Sequence, residues 1–259
     1  MKADRLSRIF AVIRLIASSP QTMSVSEVSR ALKMPISSTH DLLRTLVELR
    51  QIDSVDGQYG IGPEAIALSA QVLDGVSVHV AARRHLIALT ERTGEAVYLA
   101  VPSGQQLIYV DRYLGARRVS IHIRLGEPLY LHSTSAGKLF AALDPGFRRK
   151  LFQVRRPRLT GQTIVDDDKL SAELAGIARA RLSITRGESF LGILGLAVPV
   201  WGSDGTLVAA IHVSTSEASV DDKRMAAVVS AMREVATGLM TDIGGLAPSE
   251  PVGVAPPGI

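Results

Sequence analysis

The chain has 259 residues, no cysteine and a formal net charge of +4, with 46% apolar and 21% charged residues. That length suits two ordinary domains, and the composition is that of a globular chain rather than a disordered one. The lack of cysteine excludes a disulfide framework and thiol chemistry and fits a reducing compartment, so a cytoplasmic protein is expected. The opening MKADRLSRIF carries charges throughout and reads as no signal peptide, and no apolar run reaches membrane length.

In chain order, Leu6, Ile9, Phe10, Ile13 and Ile16 recur at helical spacing over residues 4–18, and Pro20 ends that helix. Ser24 and Glu27 then form an S-x-x-E capping box, each side chain satisfying an orphan N–H at a helix start. Val25, Val28 and Leu32 make the buried stripe of this second helix. A third helix starts around Pro35–Ser38 and is expected to bury Leu42, Leu43, Leu46 and Leu49. In IDSVDGQYGIG, the Asp56-Gly57 pair between Val55 and Tyr59 is a strong two-residue hairpin signal. Three helices and a small hairpin make a winged helix-turn-helix over residues 1–62. Gly62-Pro63 marks a boundary, with Pro63 suited to a first helical position, and residues 63–93 read as a long linker helix bent or interrupted at Gly75.

From Gly94 the period changes. EAVYLAV and QLIYVDRY, split by PSGQ, read as an antiparallel strand pair, and RRVSIHIR as a third strand. Helical patterns follow at 135–143, 145–153 and 168–181. LSITRGE, LGLAVPVW and TLVAAIHVS are then strands, the last two joined by a GSDG turn, before a closing helix at about 219–242. Strands mixed with helices, paired antiparallel, predict an α+β sensor-type domain over 94–243. The Pro/Gly-rich tail, 244–259, is expected to be disordered. No internal repeat is present.

The helix-turn-helix geometry brings the start of its second helix to base edges. Ser37, Ser38, Thr39 and His40 occupy that start, Asp41 follows, and Arg44 lies one turn beyond. Ser24 and the wing residues Gln58 and Tyr59 complete the expected DNA-facing set. Residues 1–62 hold eight cations and six acids, a net +2 that is compatible with nucleic acid without requiring it. The same scaffold used only for protein assembly is the alternative.

Ser135 to Lys138, SAGK, matches the S-x-x-K of penicillin-recognising enzymes, but no S-D-N or K-T-G companion follows, so a capped helix start is the plainer reading. A hydrolase using Ser135 and Lys138 is the enzymatic rival. His122, His132 and His212 match no zinc spacing, and neither a metal nor a cofactor is expected. In AAIHVS, alternation puts Ala210, His212 and Ser214 on one face, which suits a ligand cavity or a solvent face equally. The run RRKLFQVRRPR, residues 148–158, holds six cations and reads as a solvated helix face and loop, or as a second DNA contact.

Taken in order, SVSEVSRALKMPISSTHDLLRTLVEL, GQYGIGPEAIALS, LGEPLYLHSTSAGKLFAAL, RLTGQTIVDDDKLSAELAGIARARL and GILGLAVPVWGSDGTLVAAIHVS resemble the IclR family of bacterial transcriptional regulators over about residues 4–242. The resemblance implies a winged helix-turn-helix, a linker helix and a GAF-like effector-binding domain with a central antiparallel sheet. It further implies a homodimer or homotetramer on a double-stranded operator with repeated half-sites, acting as repressor or activator of a catabolic operon. Carried across, the effector site comprises Thr134, Ser135, Ala136 and Gly137 on one wall and Thr185, His212 and Ser214 on the other. Leu129, Leu131 and the space at Gly195 are expected to hold the apolar body of a small aromatic or aliphatic acid.

The chain departs from the family pattern at four positions. Ile36 stands where a Lys is usual, Asp41 where an Arg is usual, and Arg50 where a Gly is usual. Gly195 replaces a common Cys, which implies room for a larger ligand. Asp41 is expected to cap with Ser38 or to accept from a cytosine amino group. With no fixed cation assigned to the site, protonation of His212 below about pH 6.5 is expected to strengthen binding of an acid.

Overall fold

The structure is a computed structural model, and residues 2–74, 77–117 and 123–248 are described. The chain divides into two compact units, Met1–Val76 and Ser77–Ile259.

The first unit carries α1 (Lys2–Ser18), β1 (Met23–Ser24), α2 (Val25–Leu32), α3 (Ile36–Glu48), β2 (Ile52–Val55), β3 (Gln58–Ile61) and α4 (Pro63–Asp74). The capping box forms as the sequence predicts: Glu27 N donates to Ser24 Oγ at 3.4 Å and Ser24 N to Glu27 Oε2 at 2.8 Å. Lys33, in the left-handed region at φ 51°, ends α2. Ser29 Oγ then donates to Met34 O at 2.6 Å, fixing the turn into α3. Asp56 and Gly57 both have positive φ, the backbone of a type I′ hairpin whose twist matches its strands. The two-residue β1, which periodicity does not reveal, adds to β3 to give the order β1-β3-β2.

Val12, Ile16, Val28, Leu43, Leu46, Ile52 and Tyr59 form the core of this unit. Two expected stripes are corrected in part. Ile16 is in the core and Ile9 and Ile13 pack against it, but Leu6 and Phe10 are exposed and Val12 points inward. Leu49 is exposed because α3 stops at Glu48 and Leu49 is its C-cap; Thr39, one turn before Leu43, takes the inward place.

The second unit opens with α5 (Ser77–Thr93); whether Gly75 interrupts one linker helix lies outside the described residues. Then come β4 (Ala96–Ser103), β5 (Gln106–Tyr113), α6 (Ser135–Leu143), α7 (Pro145–Gln153) and α8 (Asp167–Ala180). They are followed by β6 (Ser183–Arg186), β7 (Ile193–Trp201), β8 (Leu207–Ser216), a 3₁₀ turn (Glu217–Ser219) and α9 (Asp222–Asp242). The strand expected at RRVSIHIR falls mostly on residues 118–122, outside the described set, as does His122. The five strands form an antiparallel sheet in the order β5-β4-β8-β7-β6. α5 and α9 pack together and against the sheet, while α6 contacts β6, β7 and β8. Ala96, Tyr98 and Ala100 of β4 share a core cluster with α6 and α8, so alternation turns Val97 and Leu99 away from it.

The start of the tail hydrogen-bonds back onto the second unit. Leu246 N donates to Gly202 O at 3.1 Å, and Arg181 donates to Pro248 O, tying residues 244–248 beside the β7–β8 turn. Residues 249–259 are outside the described set.

Candidate functional site

On the first unit, α3 begins at Ile36 after Pro35, with no side chain capping its N-terminus. Helix-start N–H groups left without a side-chain partner suit phosphate oxygens. Ser37, Ser38, His40, Asp41 and Arg44 are exposed along this helix, and Gln58 is exposed on the hairpin. Arg44 lies 3.9 Å from Asp41 and 3.9 Å from Glu48, so its guanidinium sits between two carboxylates of its own helix. Three members of the expected set are placed otherwise. Thr39 is fully buried and its Oγ1 donates to Pro35 O at 2.9 Å, so it cannot reach a base edge. Tyr59 packs in the core beneath the wing, and the Ser24 hydroxyl is engaged in its capping box. Ser38 does not cap α3 with Asp41; Pro35 holds the cap position.

On the second unit, strand register builds a site on the sheet face toward α6. Thr185 of β6, Gly195 of β7 and Ser214 of β8 are consecutive cross-strand partners in one row. Two residues along, Ala197, His212 and Tyr98 form the next row of the same face. α6 packs on these strands, and Gly137 lets the chain leading into it lie close against its first turn: a Cβ there would lie 2.6 Å from Leu131 Cα and 2.7 Å from Tyr130 O. Thr134 caps the helix, accepting from Gly137 N at 3.1 Å. Ser135 is thereby brought to 2.8 Å from His212 Nδ1.

Between the sheet and α6 lies a cavity of about 280 Å³. Its walls include Leu129, Thr134, Ser135, Thr185, Gly195, His212 and Ser214, seven of the ten residues expected there. Leu131 and Ala136 belong to the hydrophobic core, and Gly137 packs against the backbone of Tyr130 and Leu131, so these three do not line it. The sequence reading missed the rest of the lining, Tyr109, Arg124, Glu127, Glu188 and Phe190 among it, which comes from other strands and loops. Tyr109 alone had a local signal, by alternation in QLIYVDRY.

Two expectations about the chemistry of this site are corrected. Burial without a neighbouring charge pulls the His212 imidazole down to about 3, only partly opposed by the Leu196 carbonyl, so it is neutral near pH 6.5. Its ring instead packs against Tyr98 and Tyr109, at centroid distances of 5.5 and 5.3 Å. Gly195 does not free space for ligand either. A Cβ at that position would lie 2.7 Å from Thr185 Oγ1, 3.1 Å from Ser135 Oγ and 3.3 Å from His212 Cε1, so polar side chains occupy the gap.

Lys138 is fully buried and ion-paired to Glu173 at 2.7 Å and Glu188 at 2.6 Å. It is therefore committed to two carboxylates and is not the free amine that a hydrolase built on Ser135 and Lys138 needs as its base. Three of the six cations of the run 148–158 are engaged within their own unit. Arg148 and Arg156 stack on Phe152 at 5.7 and 5.4 Å, Arg156 pairs with Asp167, and Arg158 donates to Thr163 O. Among the described residues no group of three or more His, Cys, Asp or Glu is placed to hold a metal, and no helix is long and apolar enough to cross a membrane.

A winged three-helix unit and an α+β unit enclosing a ligand-sized cavity make the build of a DNA-binding regulator. Family models agree: one described as "Bacterial transcriptional regulator IclR C-terminal" matches residues 70–240, and the IclR helix-turn-helix domain matches residues 5–55. The chain belongs to the IclR family; it is a DNA-binding transcriptional regulator and not an enzyme. It is 28% identical over 247 residues to the glycerol operon regulatory protein of Streptomyces griseus, covering 92% of this chain and 96% of that one. To the HTH-type transcriptional regulator XynR of Escherichia coli it is 23% identical, over 92% of this chain and 96% of the relative. Among solved structures, the Thermotoga maritima IclR is similar at a TM-score of 0.78 and 25% identity, covering 93% of this chain and 99% of that one. An IclR homolog from Microbacterium hydrocarbonoxydans, complexed with 4-hydroxybenzoate, has the same fold at a TM-score of 0.82 and 23% identity, covering 92% and 98%.

Proposed function

We propose that this regulator controls a catabolic operon from the cytoplasm, binding its operator as a homodimer or a dimer of dimers and answering to a small organic acid held in the α6–sheet cavity. The observation that carries this reading is the cavity itself. It is of ligand size, and four buried polar side chains converge on one end of it. The relative crystallised with 4-hydroxybenzoate supports a ligand of that size and class. On the DNA side, Ser37, Ser38, His40 and Arg44 of α3 reach the major groove while Gln58 serves the wing. The exposed apolar residues Leu6 and Phe10 of α1 and Ile66 and Val72 of α4 suit a second copy of the chain.

The test is a mobility-shift and footprinting assay on the DNA upstream of the regulator's own gene, with and without a panel of small aromatic and aliphatic acids. Two protected half-sites about 10 base pairs apart, or a multiple of that, are expected, with one class of acid altering the occupancy. Protection of a single half-site would refute the dimeric reading, and occupancy indifferent to every acid would refute the sensing one.

A further inference from the structure

Charge and polarity are segregated inside the cavity. Ser135, Thr185, His212 and Ser214 meet on the sheet face, all at most 6% exposed, and none carries a fixed charge. The charged lining lies elsewhere. Arg124 and Glu127, paired at 3.2 Å, have side chains 48% and 55% exposed and so mark the open end. Glu188 is the buried charge of the lining, and it is an anion already engaged by Lys138 Nζ at 2.6 Å and by Ile164 N at 3.3 Å.

A carboxylate driven to the sheet face would lose its water, gain neutral partners only, and share the cavity with the Glu188 carboxylate; that desolvation is costly. The start of α6 offsets less of the cost than its position suggests, because Thr134 Oγ1 already accepts from Gly137 N. His212 offers no charge: Tyr98, Tyr109 and Ser135 are the groups facing it, and burial keeps it neutral. A hydroxyl fits the same end well. Ser214 Oγ is enclosed with no hydrogen-bond partner, a deficit that a ligand group able both to donate and to accept would relieve. The gap at Gly195 brings Thr185 Oγ1 and Ser135 Oγ to the same point.

We infer that the effector is a hydroxylated carboxylic acid that binds hydroxyl-inward, at Ser214, Thr185 and Ser135, with its carboxylate outward at Arg124. This rests on the effector reading above and adds the ligand's class and direction.

Matched pairs of probes test it by calorimetric titration of the full-length protein: 4-hydroxybenzoate against benzoate, and 2-hydroxypropanoate against propanoate. The hydroxylated member of at least one pair should bind about tenfold or more tightly than its partner, since a buried polar group left unpaired penalises the analogue. Ser214→Ala should shrink that preference to about threefold or less. Thr185→Val makes the same measurement if circular dichroism shows the first variant misfolded. Arg124→Gln should weaken both members of a pair alike, by about fivefold, and leave the preference intact. Acids that bind with no preference for the hydroxyl would overturn the inference. So would a hydroxyl preference lost in Arg124→Gln and kept in Ser214→Ala, which is the reversed orientation. If no acid of either pair binds, the effector reading itself fails and this inference falls with it.

Discussion

At the scale of single residues, His212 and Arg50 show how local environment turns into measurable stability. The buried His212 imidazole has a pKa of about 3 in the fold and an ordinary value near 6.5 when unfolded. Between those values the unfolded chain takes up a proton that the folded one does not. Stability therefore falls as pH drops from about 6.5 toward 3, by at most about 1.4 kcal/mol per pH unit from this residue. Glu188, raised by burial, acts with the opposite sign. Urea denaturation of parent and His212→Gln at pH 7.5 and 5.5 separates the two, and the variant should show the shallower acid loss. Arg50 leaves α3 in the left-handed region at φ 55°, with its carbonyl accepting from Glu64 N at 3.1 Å. A side chain there costs about 1–2 kcal/mol, partly balanced by the entropy that glycine loses on folding. Its 3.9 Å pair with Glu64 is exposed and worth little. Arg50→Gly should thus raise the thermal midpoint of the first unit, by the equivalent of about 0.5–1 kcal/mol.

At the scale of elements, α3 is the helix that the proposed function sets on the operator. Its exposed face alternates hydroxyls, His40, Asp41 and Arg44, and Arg44 must leave Asp41 and Glu48 to reach DNA. Arg44→Ala should weaken operator binding by about 1–3 kcal/mol if the guanidinium makes a bidentate base contact. Asp41→Arg should steepen the salt dependence of binding by about one unit, read as the slope of log affinity against log salt. The start of α2 and the β2–β3 turn were legible in the sequence because caps and turn residues act locally: Ser24 with Glu27, Asp56 with Gly57. Strand alternation likewise put His212 and Ser214 on one face. Thr39 was misjudged because hydroxyls at a helix start usually face out, whereas here the hydroxyl returns to Pro35 O and the methyl can turn inward. The far wall of the cavity was not legible at all. Arg124, Glu127 and Glu188 join it through loop paths and cross-strand register, which no short-range pattern encodes.

At the scale of the whole molecule, Lys138 is a single point at which α6, α8 and the β6–β7 connection are held together, through Glu173 and Glu188. Removing the lysine alone leaves a buried carboxylate without its partner, so Lys138→Met should destabilise the second unit by about 3–5 kcal/mol; Lys138→Met with Glu188→Leu should recover most of that loss. Guanidinium denaturation of the single and double variants measures it. The ion cluster also constrains how such sequences can drift. A lineage cannot shed Lys138 or Glu188 one at a time without passing through a poorly folded intermediate, although the chain lacking both would fold well. In an alignment of close descendants, positions 138 and 188 should therefore change together or not at all, while position 173, a quarter exposed and open to water, varies more freely.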